Sequence, residues 1–249
     1  MRKPLMAGNW KMYKTAAETS EFFEKFNPLV AQCTTRDIVI CPTFVSLPAA
    51  VAATKGTQIG IGGQNLYFIK EGAYTGEISG PMLAAVGAKW VIIGHSERRQ
   101  YFGETDASVL KKTVAALEAG LKPIVCVGER LEDREAGNTE AVLVGQFQGG
   151  IAGLDAAQFA QIVVAYEPVW AIGTGKTATP EIAEDAHRVI RAQAVKQFGQ
   201  AAGDALRILY GGSVKPNNTK VLMGQPDIDG VLVGGASLDP ESFSQIVNF

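Results

Sequence analysis

Eight short apolar runs, each too brief for a helix and spread over the whole chain, constrain the fold more than any other feature. They are PLMAGNW at 4–10, DIVIC at 37–41, QIGIGGQ at 58–64, WVIIGH at 90–95, PIVCVG at 123–128, QIVVAYE at 161–167, RILYGG at 207–212 and GVLVGG at 230–235. Their β-branched residues and flanking glycines mark them as strands. Between them lie stretches with helical spacing, such as TAAETSEFFEKF at 15–26, DASVLKKTVAALEAG at 106–120 and PEIAEDAHRVIRAQAVKQFG at 180–199. Gly120 and Gly199 stand where helix stop signals belong. Strands that are apolar on both faces and joined by helical crossovers form a parallel sheet. Eight such units in 249 residues predict an α/β fold, a (β/α)8 barrel of eight parallel strands surrounded by helices. A doubly wound sheet of eight strands is the rival. With 47% hydrophobic side chains, and neither a linker nor a low-complexity tract, residues 1–249 are expected to form one domain.

Charge and cysteine usage narrow the function classes. A formal net charge of −2 and no basic block beyond Arg98-Arg99 give no face for nucleic acid or acidic lipid, so a small-molecule function fits. The N-terminal MRKPLMAGNWKM lacks the apolar core of a signal peptide, and no apolar run approaches the ~20 residues that span a bilayer. A cytoplasmic protein without membrane association is the expectation. Cys33, Cys41 and Cys126 share no CxxC spacing, which argues against a disulfide framework or a zinc site. GTGKT at 173–177 resembles a phosphate-binding P-loop, but that signature needs a glycine five residues before Gly175, where Trp170 stands.

In a barrel the C-terminal strand ends converge on one face whatever their separation in sequence. Those ends carry Asn9, Lys11, Gln64, Asn65, His95, Glu97, Cys126, Glu167, Ser213, Gly234 and Gly235. Glu167 precedes Pro168, which biases it toward extended backbone and aims its carboxylate at the barrel mouth. Apolar neighbours raise a glutamate's proton affinity toward that of a useful general base, although a strand-end glutamate is by itself more often only solvated. His95 opens SERRQYF, whose first-turn N–H groups disfavour imidazolium and leave a neutral ring able to donate to a developing oxyanion. A lone histidine there is otherwise a structural one. His187, in a polar helical stretch, is assigned no chemistry.

Lys11 and Asn9, two apart on extended backbone, project to the same side and suit a substrate bearing oxygen and phosphate; on its own, Lys11 reads as a solvated loop lysine. Glu97 either anchors Lys11 or begins a helix, and the position alone favours the second. Cys126 reads as a small core residue. The glycines of YGGS at 210–213 and VGG at 233–235 let backbone N–H groups approach an anion, as phosphate sites after the seventh and eighth strands of barrels do.

Together, GNWKM at 8–12, GHSERR at 94–99, AYEPVWAIGTGKTA at 165–178, YGGSV at 210–214 and LVGGASL at 232–238 resemble the triosephosphate isomerase family, whose fold is the TIM barrel. The likeness runs end to end. It implies an isomerase that interconverts dihydroxyacetone phosphate and glyceraldehyde 3-phosphate without cofactor or metal. The family is the usual example of tuned acid-base groups, and the roles are taken over from it. Glu167 would move the proton between carbons, and His95, Lys11 and Asn9, with Glu97 in the catalytic set, would stabilise the enediolate. Phosphate would rest near Gly173, Ser213, Gly234 and Gly235, alongside Asn9 and Lys11. PVWAIGTGKTA resembles the family's lid: Pro168, Val169 and Trp170 form one hinge, Lys176, Thr177 and Ala178 the other, and Ala171, Ile172, Gly173, Thr174 and Gly175 lie between. Tyr210 and Ser213 resemble the groups that latch the closed lid, and Glu129 the one that holds Trp170 in the open form. The 66–80 loop resembles the dimer loop, with Thr75 at its tip and Glu77 pairing with Arg98 of a second copy, Glu104 nearby. Tyr13 stands where bacterial members usually carry Asn, which weakens the expectation of interface packing. Two rivals remain: a Schiff-base aldolase using Lys11, and a barrel that only binds phosphate ligands or protein partners.

Overall fold

Every one of the eight apolar runs forms a strand. The computed structural model describes residues 2–172 and 177–249. The strands are β1 (Leu5–Asn9), β2 (Asp37–Cys41), β3 (Ile59–Gly63), β4 (Trp90–Ile93), β5 (Lys122–Val127), β6 (Val163–Tyr166), β7 (Ile208–Tyr210) and β8 (Gly230–Val233). Each pairs in parallel with the next, and β1 also pairs with β8, Leu5 opposite Gly230, so the sheet closes on itself. Closure leaves no edge and removes the doubly wound rival. All but one of the strands end one or two residues before the apolar run that forms them.

The helices begin where side chains can satisfy their first N–H groups. Thr15 and Glu18 cap each other reciprocally at the start of the helix Ala16–Val30, and Thr105 and Ser108 do so for Asp106–Glu118. Gly120 and Gly199 end their helices with φ of 73° and 88°, a conformation glycine adopts without strain.

Inward-facing residues alternate along the strands: Leu5 and Ala7, Val39 and Cys41, Trp90 and Ile92, Ile124 and Cys126, Val163 and Ala165, with Leu209 and Leu232, pack into one interior cluster. Outward residues pack under the helices in a second, larger core; there Trp10 meets Phe22 edge-on at 4.8 Å and Phe26 stacks on Phe243 at 5.3 Å. After β3, an isolated bridge between Tyr67 and Ser79 pinches the neck of a loop whose residues 70–77 are all exposed. No helix among the described residues is long and apolar enough to cross a membrane.

Candidate active site

Glu167 follows β6 directly and is pinned from both neighbouring strands. Its N–H donates to Val127 O at 2.8 Å, and Gly211 N–H donates to Tyr166 O at 2.7 Å. Gly128 is obligatory here, because a Cβ on it would lie 1.7 Å from the Glu167 carbonyl oxygen. The residue is 1% exposed. Its Oε2 accepts from the Ser96 N–H at 2.9 Å, and its Oε1 lies 2.8 Å from His95 Nε2. Burial alone pushes this carboxyl's pKa up, but His95, the Ser96 N–H and Lys11 outweigh it, so the group is held below the ordinary carboxylate range. The sequence suggested the opposite direction, because it showed the apolar neighbours along the strand and not the donors brought in from β4 and β1.

His95 caps the short helix Ser96–Tyr101, its Nδ1 accepting from the Glu97 N–H at 3.2 Å. A ring nitrogen that accepts carries no proton, so the proton of the neutral ring sits on Nε2, facing Glu167. Burial lowers the His95 pKa, yet the adjacent Glu167 carboxylate, and Glu97 behind it, raise it more, and the net direction is upward. The turn of N–H groups foreseen from SERRQYF is present; the carboxylate contact that runs against it was not visible in sequence.

Lys11 is not on extended backbone, as its spacing from Asn9 suggested. β1 ends at Asn9, and Lys11 adopts φ 52°, held by its own N–H donating to Asn9 Oδ1 at 3.0 Å. Gln64, the residue after β3, clamps the same turn, its Nε2 donating to Lys11 O at 2.8 Å and Cys41 O at 2.9 Å. The ammonium meets Glu97 Oε1 at 2.5 Å, so Glu97 both begins a helix and anchors Lys11.

A cavity of about 280 Å³ gathers Asn9, Lys11, His95, Glu167, Ser213, Gly234 and Gly235 at one mouth. Glu97 is not part of its wall and reaches it through Lys11. Ala171 and Ile172 of the lid sequence line it as well, together with Gly211, Gly212 and Leu232. Among the described residues no group of acidic, histidine or cysteine side chains could hold a metal ion.

The family profile described as "Triosephosphate isomerase" matches residues 4–249. A triosephosphate isomerase of Solibacter usitatus is 72% identical over 249 residues, covering 100% of both chains, and one of Citrifermentans bemidjiense is 55% identical over 100% of this chain and 99% of that one. The crystal structure of triosephosphate isomerase from Bartonella henselae superposes with a TM-score of 0.89 at 38% identity, covering 99% of this chain and 98% of that one. The chain belongs to the triosephosphate isomerase family.

Of the residues expected from the resemblance to form a lid, Gly173, Thr174, Gly175 and Lys176 lie outside the described residues. The described flank is tied down by Glu129, which is fully buried and whose Oε1 accepts from Trp170 Nε1 at 2.9 Å and Tyr166 OH at 3.0 Å. Arg134 lies 3.5 Å from the same oxygen and stacks over the Trp170 ring at 4.8 Å. Tyr210, expected from the resemblance to latch the lid, is buried with its ring against Gly212, where a Cβ would come within 2.2 Å of the hydroxyl. Thr75 and Glu77 are exposed on their loop. Arg98 pairs within the chain, with Glu104, which also takes Lys112.

Sequence reasoning gives Gln64 and Gly128 no specific role and does not single out Ser96 as a partner of Glu167. Gln64 was visible as a strand-end polar residue, and Gly128 as the end of PIVCVG. Ser96 acts through its backbone, which leaves no trace in side-chain identity.

Proposed function

We propose that this chain performs the reaction of its family through Glu167 as the base, interconverting dihydroxyacetone phosphate and D-glyceraldehyde 3-phosphate, a step of glycolysis and, in reverse, of gluconeogenesis. The observation that carries the assignment is the placing of Glu167 Oε1 2.8 Å from His95 Nε2 on the wall of a cavity that also holds Lys11 and Asn9. Glu167 takes a proton from one carbon and returns it to the next. His95 Nε2–H, the Lys11 ammonium and the Asn9 amide stabilise the negative oxygens of the enediolate, which prepositioned donors do best in a site closed to water. When Glu167 leaves His95 for the substrate, the contact that favours imidazolium goes with it. The Glu97 N–H stays on Nδ1 and holds the ring neutral.

Phosphate rests on backbone N–H groups at Ser213, Gly234 and Gly235, with Gly173 from the lid. Closing the lid from 168 to 178 excludes water from the enediolate, gating of a kind for which this family is itself the usual example. Glu129 holds Trp170 while the lid is open; Tyr210 and Ser213 hold the closed form. The ion pair of Lys11 with Glu97 disfavours the Schiff-base alternative, which needs a free amine. The protein works without cofactor, as one cytoplasmic domain, and as a homodimer through the 66–80 loop. A cavity of about 480 Å³ beside Lys11 and His95, rimmed by the exposed side chains of Met12, Tyr13 and Phe102, supports the dimer.

A coupled assay of the purified protein beside Glu167→Asp tests the reading. Conversion of triose phosphate is expected, and the shortened carboxylate should slow it by at least ~10²-fold with the fold unchanged. A folded parent without turnover, or an unimpaired Glu167→Asp protein, refutes the assignment.

A further inference from the structure

Two cavities meet at Glu167. One is the substrate cavity. The other, of about 210 Å³, is walled by Ser96, Arg99, Gly128 and Gln146, with the exposed residues Gln100 and Arg130 at its rim. Among the described residues, Glu167 is the one that lines both. Its two oxygens divide between them: Oε1 faces His95, a wall of the first cavity, and Oε2 faces Ser96, a wall of the second.

The second cavity is built, not a gap in packing. The Arg99 guanidinium props its floor, donating to Gly94 O at 2.8 Å, Asp106 Oδ1 at 2.6 Å and Cys126 O at 3.2 Å. Gln146 braces its side by a reciprocal pair with Gly128, at 2.7 and 3.0 Å. Its size is several times the ~30 Å³ share of one liquid water, and its polar walls supply the partners that ordered water requires.

We propose that this second cavity is the route by which the proton held on Glu167 exchanges with solvent during the reaction. The proposal rests on Glu167 being the base. After the carbon–hydrogen bond breaks, its proton is on the Glu167 carboxyl and its electron pair is in the enediolate. The substrate cavity is then filled by the intermediate and covered by the lid. A glutamate's terminal torsion is broad and two-fold, so a half-turn of the carboxyl carries the protonated oxygen to the Ser96 side. There, in heavy water, the exchange is Glu–COOH + D2O → Glu–COOD + HDO. The deuteron goes to the neighbouring carbon and the carboxylate is restored. Without the half-turn the original proton is transferred intact, so the rear cavity sets how turnover divides between transfer and exchange.

The test is to run the reaction in D2O and measure the share of product carrying deuterium. Gln100→Trp and Arg130→Trp, singly and together, plug the rim without touching the substrate site. The double variant is expected to lower the deuterated share at least threefold, with product formation within twofold of the parent. Gln100→Ala combined with Arg130→Ala widens the rim and should raise the share. An unchanged share in the plugged protein at unimpaired turnover overturns the route and assigns exchange to the substrate cavity. If the plugged protein does not fold, the widened one decides alone, and an unchanged share there also overturns it. Failure of the base assignment looks different: the parent then shows no turnover, or Glu167→Asp shows no loss.

Discussion

His187 lies fully buried on the helix Pro180–Phe198, with Nδ1 3.0 Å from Asp227 O and its ring edge-on to Tyr166. Nε2 finds no hydrogen-bond partner among the described residues. Burial drives its pKa down, and the nearby Arg191 charge adds to this against the pull of Asp227; the group falls from 6.5 to about 4. The unfolded chain therefore takes up a proton at this residue near pH 6.5, whereas the native chain resists until about pH 4. Stability from this group is complete above that window and is lost as pH falls through it, by on the order of 3 kcal/mol. Denaturant unfolding of the parent and His187→Leu between pH 7 and 4 should show a flatter profile in the variant; parallel profiles would exclude the residue as the source. In the sequence His187 sits in a polar helical stretch that points to no chemistry. The helix face that buries Ala183, His187, Ile190, Arg191 and Ala194 is partly polar, because Arg191 and His187 both reach Asp227, some 40 residues away. That partner cannot be read from periodicity. His95 differs, since its strand end and following turn mark it locally. His95→Gln should cut kcat by ~10²–10³ with little change in KM, the loss of one oxyanion donor, and a variant with unaltered kcat would remove His95 from the mechanism.

At the scale of elements, β3 shows what the strand pattern conveyed and what it hid. QIGIGGQ was legible as a strand, and its register with β2 and β4 follows from closure. Why its inward positions are glycines is a matter of its neighbour. A Cβ on Gly60 would lie 2.8 Å from Trp90 Nε1, and one on Gly62 would lie 2.8 Å from Cys41 Sγ and 2.9 Å from Trp90 Cβ. The indole on β4 fills volume that β3 leaves, so the two strands share one interior layer. Gly62→Ala is expected to cost about 1–3 kcal/mol, the usual range for overpacking a core. Part of that cost should return in the Gly62→Ala, Cys41→Ala double variant, a coupling of at least ~0.5 kcal/mol in a cycle of unfolding free energies. Strict additivity would place the strain elsewhere. The strands and major helices were legible because apolar spacing and capping residues are local. The inward glycines were not, since their meaning depends on a side chain about 30 residues along the chain.

Across the whole molecule, three of the exposed apolar side chains lie together beside the active site. Met12 is 91%, Phe102 67% and Tyr13 59% exposed around the cavity next to Lys11 and His95. Soluble monomers rarely leave a contiguous patch of that kind uncovered. Lys11 borders it while holding a left-handed backbone conformation, which costs a non-glycine residue about 1–3 kcal/mol and persists where the surroundings over-determine it. Asn9, Gln64 and Glu97 supply part of that support from within the chain. The remaining wall is open, and the tip of a second copy's 66–80 loop is the proposed cover, bringing Thr75 toward Lys11. Glu104, buried between Arg98 and Lys112, braces the receiving face: burial pushes its pKa up, but the two cations hold it below the usual carboxylate range. Thr75→Arg combined with Phe102→Glu should therefore yield a folded monomer by sedimentation. Its turnover should fall by ~10²-fold or more, because a displacement of about 1 Å in a positioned charge is enough for such a loss. Stability measured within the monomer should change far less than activity. A monomer that keeps parental turnover would show that Lys11 needs no second chain, and a dimer that survives both substitutions would move the interface away from this loop.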